Sequence, residues 1–260
     1  MNRRQFLTFA VSLASGMLTG SHLASAQTLV RRRIECPILM YHYISTPPET
    51  ADRYRLDLSL PPDRFEEHCA FLVDNGYTGI SLWQLHQALT EGTPLPDKPV
   101  ILTFDDGYID AFENAFPILQ AHDLVATFFI VTQFMDNPGY MTWGQASRLI
   151  EAGMEVENHS RSHPNLAERE RDFLMREIDG AANAIEATFG YRPRFFCYPA
   201  GRFDENTIEI VRETGHLMAT TTWDGMLHYS SDLFRLRRLR IRNSTGINGL
   251  QWLMSPRASE

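Results

Sequence analysis

Residues 100–108 read VILTFDDGY: an apolar, β-branched-rich run into Phe104, then the adjacent carboxylates Asp105 and Asp106, then Gly107. Acids at the C-terminal end of a buried strand stand where α/β proteins build active sites. A second stretch, residues 158–164, reads NHSRSHP and carries His159 and His163. Two imidazoles four residues apart can bind one ion if the backbone turns between them, and an acid can complete the set. In the HExxH pattern the residue after the first His is a catalytic Glu. Here it is Ser160, so both a third ligand and a base must come from elsewhere. Asp105 and Asp106 can meet both needs. Successive strand residues point opposite ways, but a turn at Gly107 can bring both acids to one mouth. Alone, Asp-Asp-Gly reads as a helix-capping turn, and alone the histidines read as a solvated loop. At the ends of two strands of one α/β domain they read as a metal site.

Working outward, strand and helix patterns alternate. Strands are expected at 37–41, 77–81, 100–104, 126–131, 154–157, 195–198, 217–222 and 236–241. Helices are expected at 61–75, 82–90, 109–122, 143–152, 166–189 and 204–214, with 46–60 as a loop. The longest helix carries Phe173, Leu174, Ile178, Ile185 and Phe189 on one face. No Gly-rich phosphate loop interrupts the series. The pattern is that of a parallel α/β fold, and about seven β units favour a distorted (β/α) barrel over an open sheet.

The chain has 260 residues and a net charge of -8. That length allows one full-sized core, and the acidic balance argues against nucleic acid as a partner. Residues 1–26 hold Arg3-Arg4, a short apolar run and Ala24-Ser25-Ala26. They read as an export signal cut after Ala26, with the arginine pair before Phe6-Leu7 favouring the twin-arginine route. The run is too short for a membrane span. The expected product is residues 27–260, periplasmic or extracellular, with no stable span and no oligomeric state legible. Cys36, Cys69 and Cys197 make an odd number. No disulfide framework follows, and at most one pair, Cys36 with Cys69, is expected.

TFDDG, HSRSHP and the RFFCYPAG of residues 194–201 resemble, in that order, the first three motifs of the polysaccharide deacetylases of the NodB-homology, carbohydrate esterase type. The resemblance covers most of the chain after residue 26. It implies a metal-dependent N- or O-deacetylase on a distorted barrel, acting on a polysaccharide such as poly-N-acetylglucosamine, peptidoglycan or a chitin-like polymer. Residue by residue it implies Asp105 as base and Asp106, His159 and His163 as ligands of Zn2+, or of Co2+ or Ni2+. It also implies Arg194 as the group holding the base, and the Tyr198 backbone N–H as an oxyanion donor.

The family's usual C-terminal Leu-x-His is absent, and the corresponding strand reads LRRLRI at residues 236–241. His42, just past the strand 37–41, stands in for that histidine, as in the branch resembling poly-N-acetylglucosamine deacetylases. A general acid is needed to expel an amine. His42 is therefore assigned that role, with His228 in reserve. Arg238 receives no role, and the arginines between 235 and 242 read as a solvated edge. Two rival functions are weighed. A glycoside hydrolase needs carboxylates about 5 to 9.5 Å apart across the bond, which adjacent aspartates do not easily supply. A non-catalytic carbohydrate-binding barrel leaves the intact acid and histidine set without a purpose.

Overall fold

The computed structural model describes residues 31–255; the expected signal at 1–26 lies outside them. The strands are β1 (Arg33–Glu35), β2 (Ile38–Tyr41), β3 (Thr78–Gly79), β4 (Pro99–Phe104), β5 (Ala126–Ile130), β6 (Glu155–Asn158), β7 (Phe195–Cys197), β8 (Met218–Thr220), β9 (Leu227–Tyr229) and β10 (Leu239–Arg240). The helices are α1 (Arg53–Leu58), α2 (Pro62–Asp74), α3 (Leu82–Thr90), α4 (Phe116–Ala121), α5 (Trp143–Glu151), α6 (Arg171–Phe189), α7 (Glu205–Glu213) and α8 (Ile247–Leu253). The main sheet runs β10-β2-β4-β5-β6-β7-β8, all parallel, with β3 added to β4. It curls into a distorted barrel of seven strands, as the alternating pattern predicts. Thr220 bridges Leu236, and three residues on Leu239 pairs with Leu39. The segment 236–240, which ends in β10, thus touches β8 at one end of the sheet and β2 at the other.

Period-two alternation sorts the strands' side chains. Leu39, Tyr41, Leu102, Phe104, Phe128, Ile130 and Val156 pack with Phe65, Leu119 and Leu149 of α2, α4 and α5. Ile38, Ile101, Phe129, Phe195, Cys197 and Met218 pack on the other face, with α3 residues Leu82, Leu85 and Leu89. Phe104 stacks on Tyr41 and Phe128 at 5.3 and 4.9 Å and meets Phe65 edge-on at 5.6 Å. Such pairs contribute about 0.5–1.5 kcal/mol each beyond burial. They clamp the strand end that carries the two acids.

Several expectations are revised. The loop at 46–60 contains α1, capped by Asp52, whose side chain accepts from the Tyr54 and Arg55 N–H groups. The helix expected at 109–122 begins as a π-helix at Ala111–Ala115. Pro117 lacks an N–H and its ring crowds the carbonyl four residues back, which favours the wider turn. Helix α6 starts at Arg171, five residues late. All three cysteines are free and buried, Cys36 and Cys69 in separate core clusters, so the considered pair does not form. Among the described residues no helix is long and apolar enough to cross a membrane.

Candidate metal centre and active site

At the C-terminal ends of β2, β4 and β6, with β10 beside them, a cavity of about 520 Å³ is lined by His42, Asp105, Asp106, His159, His163, Tyr198, Arg240 and neighbours. Three non-glycine residues on its rim take left-handed backbone: Asp106 (φ 74°), His163 (φ 58°) and Ala200 (φ 51°). Such conformations cost on the order of 1–3 kcal/mol and persist where surroundings enforce them. For Asp106 the reward is direction. The reversal at Asp106 and Gly107 swings its carboxylate to the mouth already faced by Asp105.

Asp106 Oδ1 lies 3.2 Å from His159 Nε2 and 3.3 Å from His163 Nε2. Two ligands each about 2.0–2.1 Å from one ion at a near-tetrahedral angle are roughly 3.3 Å apart. The tautomer points the same way. His159 Nδ1 lies 2.7 Å from the Cys197 carbonyl and donates to it, so the uncharged ring has its lone pair at Nε2, facing Asp106. Asp106 Oδ1 is buried and has no hydrogen-bond partner. Two acceptors at 3.2 Å need a cation between them, and without a metal a proton fills that place. Burial opposes a charge on His159, but Cys197 and Asp106 outweigh it and hold His159 well above the imidazole range. His163 is lowered to about 4, first by burial and then by His159, which leaves its lone pair free. Asp105, His159 and Cys197 also converge. Asp105 there has both oxygens engaged by Arg238, so Asp106, His159 and His163 are the better donor set.

The histidine loop is built from two sides. The Asn158 side chain accepts from the Ser160 N–H, and Ser160 Oγ accepts from the His163 N–H. The Glu177 carboxylate, buried on α6, accepts from the N–H and hydroxyl of Ser162. Asn158 donates in turn to the Ile178 carbonyl and contacts His216 Nε2 at 3.1 Å.

Asp105 is held by Arg238. The guanidinium donates to both Asp105 oxygens at 2.8 and 2.7 Å, to Thr103 Oγ1 at 3.0 Å, to Cys197 Sγ at 3.2 Å and to the Thr221 carbonyl at 2.9 Å. Burial alone would raise the Asp105 carboxyl, and Arg238 overrides it, holding the acid well below the usual range. This corrects two expectations. Arg194 does not hold the base: its guanidinium lies near Glu155 and Glu157 and over the Trp83 ring. The arginines of 235–242 are not all a solvated edge: Arg238 is 1% exposed. Strand parity could have found this. Cys197, not Arg194 or Tyr198, shares a face with the residues under Asp105. An arginine set between apolar residues of a buried strand requires an acid.

Tyr198 lines the cavity, but its backbone N–H donates to the Thr220 carbonyl at 3.2 Å, so it is not free to bind an oxyanion. Two residues on, Ala200 presents left-handed backbone to the same cavity. His42 Nε2 stands 4.0 Å from Asp105 Oδ2. Burial lowers His42, against the pull of Asp105 and Asp106. His228, the reserve, lies in β9 with Nε2 2.9 Å from the Cys36 carbonyl, and it does not line the cavity.

Residues 92–219 match the family model described as polysaccharide deacetylase. The Bacillus subtilis (strain 168) protein YxkH is 28% identical over 225 residues, covering 86% of this chain and 77% of that protein. The poly-beta-1,6-N-acetyl-D-glucosamine N-deacetylase of Escherichia coli (strain K12) is 26% identical over 235 residues. That match covers 73% of this chain but only 34% of the E. coli protein, so the chain answers to about a third of it. The solved structure of the Streptococcus pyogenes deacetylase PplD in complex with acetate superposes with a TM-score of 0.79 at 28% identity. It covers 86% of this chain and all of that one.

Proposed function

This chain belongs to the polysaccharide deacetylase family, and from that premise we propose that it hydrolyses acetyl groups from N-acetylglucosamine-containing polysaccharide at a metal held by Asp106, His159 and His163. The observation that carries the reading is the buried, unpartnered Asp106 Oδ1 facing His159 Nε2 and His163 Nε2 at ligand-to-ligand spacing. Two imidazoles and one carboxylate suit zinc, with cobalt and nickel as alternatives. Such an ion supplies Lewis acidity to an acyl oxygen and brings the pKa of water toward ~7.

The chain's own residues do the rest. Asp105, kept ionised and oriented by Arg238, accepts the proton of the attacking water. It is a weak base, which suits an acidified water and not a bulk one. His42 delivers a proton to the leaving nitrogen. In the resting site it is neutral at pH 7, so that proton is one taken up during the reaction, and Asp105 stands 4.0 Å away. Ala200, on the cavity wall, takes the oxyanion assignment that Tyr198 cannot fill. Residues 27–260 are the catalytic domain, and residues 1–26 direct export toward the periplasm or beyond, a role supported by Arg3-Arg4 and Ala24-Ser25-Ala26.

The test is to incubate the protein with N-acetylglucosamine oligomers, β-1,6-linked ones first. Acetate, primary amine and reducing ends are then counted together. Acetate and amine should appear one for one. Reducing ends without acetate would make the protein a glycoside hydrolase, and binding without either product would make it a carbohydrate-binding barrel.

A further inference from the structure

Three arginines and three aspartates line the cavity, and their pairing is unequal. Asp105 is engaged by Arg238 from below, Asp106 faces the two histidines, and Asp52 caps α1. Of the arginines, Arg55 donates to Ser45 at 2.8 Å and stands 3.7 Å from Asp110. Arg240 and Arg202 differ. Among the described residues, neither guanidinium has a hydrogen bond or an ion pair, yet both line the cavity that holds Asp105 and His42.

Arg240 occupies that place by construction. In β10 it is two residues past Arg238, on the same side of the strand, and it pairs in register with Met40, two residues before His42. Arg238 thus sits beneath the base, and Arg240 stands at the mouth beside the proposed acid. Arg240 is partly buried. A cation withdrawn from water without a partner is a standing cost that an incoming anion relieves. Burial, with Arg242 and Arg238 nearby, also pushes its pKa down, and the more distant Asp105 and Asp57, neither in an ion pair with it, pull the other way without offsetting that. Arg202 follows the turn of Ala200 and Gly201 on the wall that also carries Thr222 and is exposed. The chain as a whole carries -8, so general attraction does not bring acids here. Local guanidinium geometry must do it, because at physiological salt long-range fields fade within about 8 Å.

We propose that Arg240 and Arg202 recognise a carboxylate on the glycan, so that the preferred substrate is an acetylated amino sugar bearing an acid on its own ring or on the next. This rests on the deacetylase reading and narrows it. Guanidinium is suited to a carboxylate because its planar fork can donate two parallel bonds. The acid's source is a lactyl ether on the amino sugar or a uronate next to it.

The test compares acetate release by the metal-loaded protein from three oligomers of equal length: neutral N-acetylglucosamine, one containing lactyl-ether amino sugar, and one alternating with uronate. At least one acidic oligomer should exceed the neutral one in kcat/KM, with the advantage shrinking as salt rises. Whichever acidic oligomer leads identifies the source. R240Q and R202Q should each reduce the acidic-to-neutral ratio by about tenfold to a hundredfold, the range for losing one charge-assisted hydrogen bond, mainly through KM. R240K should keep part of the ratio. A neutral oligomer preferred by the unaltered protein, or a ratio unmoved by R240Q and R202Q, would overturn the proposal while leaving the deacetylase reading intact. Acetate from none of the three would sink that reading, and this proposal with it.

Discussion

Replacing Arg238 by methionine removes the only cation in contact with Asp105 among the described residues. Methionine is of similar length and brings no donor, so five hydrogen bonds are lost: two to Asp105 and one each to Thr103, Cys197 and Thr221. Breaking a buried ion pair from one side costs about 3–5 kcal/mol, because the surviving charge stays buried and unpaired. For a domain of this size each kcal/mol moves Tm by roughly 2–4 °C, so R238M should melt about 6–20 °C lower. Part of that loss is avoidable if Asp105 takes up a proton, and the base is then gone. Acetate release at pH 7 should fall by roughly 10²- to 10⁴-fold. The assay is a double-mutant cycle by thermal melting and turnover on R238M, D105N and D105N/R238M. The double variant should recover much of the stability lost in R238M, since no charge is left stranded, and none of the activity. R194M serves as the contrast. Its guanidinium is 38% exposed and pairs near Glu155 and Glu157, so turnover should stay within a few-fold of normal. An R238M protein that melts and turns over normally, beside an inactive R194M, would refute the assignment.

Three other outcomes follow from the same geometry. H42A should keep its fold and bound metal and lose roughly 10²- to 10⁴-fold in turnover; near-normal turnover would remove His42 from the acid role. In G201A the new Cβ would fall 2.1 Å from Thr222 Oγ1, at φ 64°. That variant should lose on the order of 1–3 kcal/mol and slow turnover by shifting Ala200 and Thr222, and an unchanged melt would show the wall to be more pliable than described. His68, His216 and His228 are each lowered to about 4, chiefly by burial. The unfolded chain therefore binds more protons between pH ~6.5 and ~4, and stability present above that window is lost on acidification. Glu157, raised to about 8 by burial and by Glu155, works in the opposite sense between its unfolded value and 8, as do Glu155 and Asp110, while His42 and His86, also lowered chiefly by burial, add to the three histidines. Melting followed from pH 7 to 4 should show a falling Tm, and a flat profile would contradict the burial of these imidazoles.

Much of the fold was legible because its strands are buried on both faces and read as unbroken apolar runs. Helix α3 was predicted at its true limits, and the structure shows a capping box of Ser81 and Gln84 fixing its start. Helix α1 escaped because its six residues include none that is buried, so no apolar stripe announced it. Strands β1 and β9 pair only with each other, three residues apiece, and carry too little pattern to read. In the site, Asp105, Asp106, His159 and His163 were legible because each stands beside a strand end in a short motif, the two acids adjacent and the two histidines four residues apart. Arg238 was not, because its contact with Asp105 spans 133 residues and depends on β10 lying next to β2. Motif order proposed Arg194, and the pleat chose otherwise.

The division of labour between two adjacent aspartates is the central claim, and metal content measured beside acetate release tests it most directly. D106N should lose both the metal and turnover, because the carboxylate oxygen facing His159 and His163 is altered. D105N should retain the metal at the level of the unaltered protein and lose turnover, because its carboxylate is engaged by Arg238. Equal metal content in D105N and D106N, whether both full or both empty, would contradict the account.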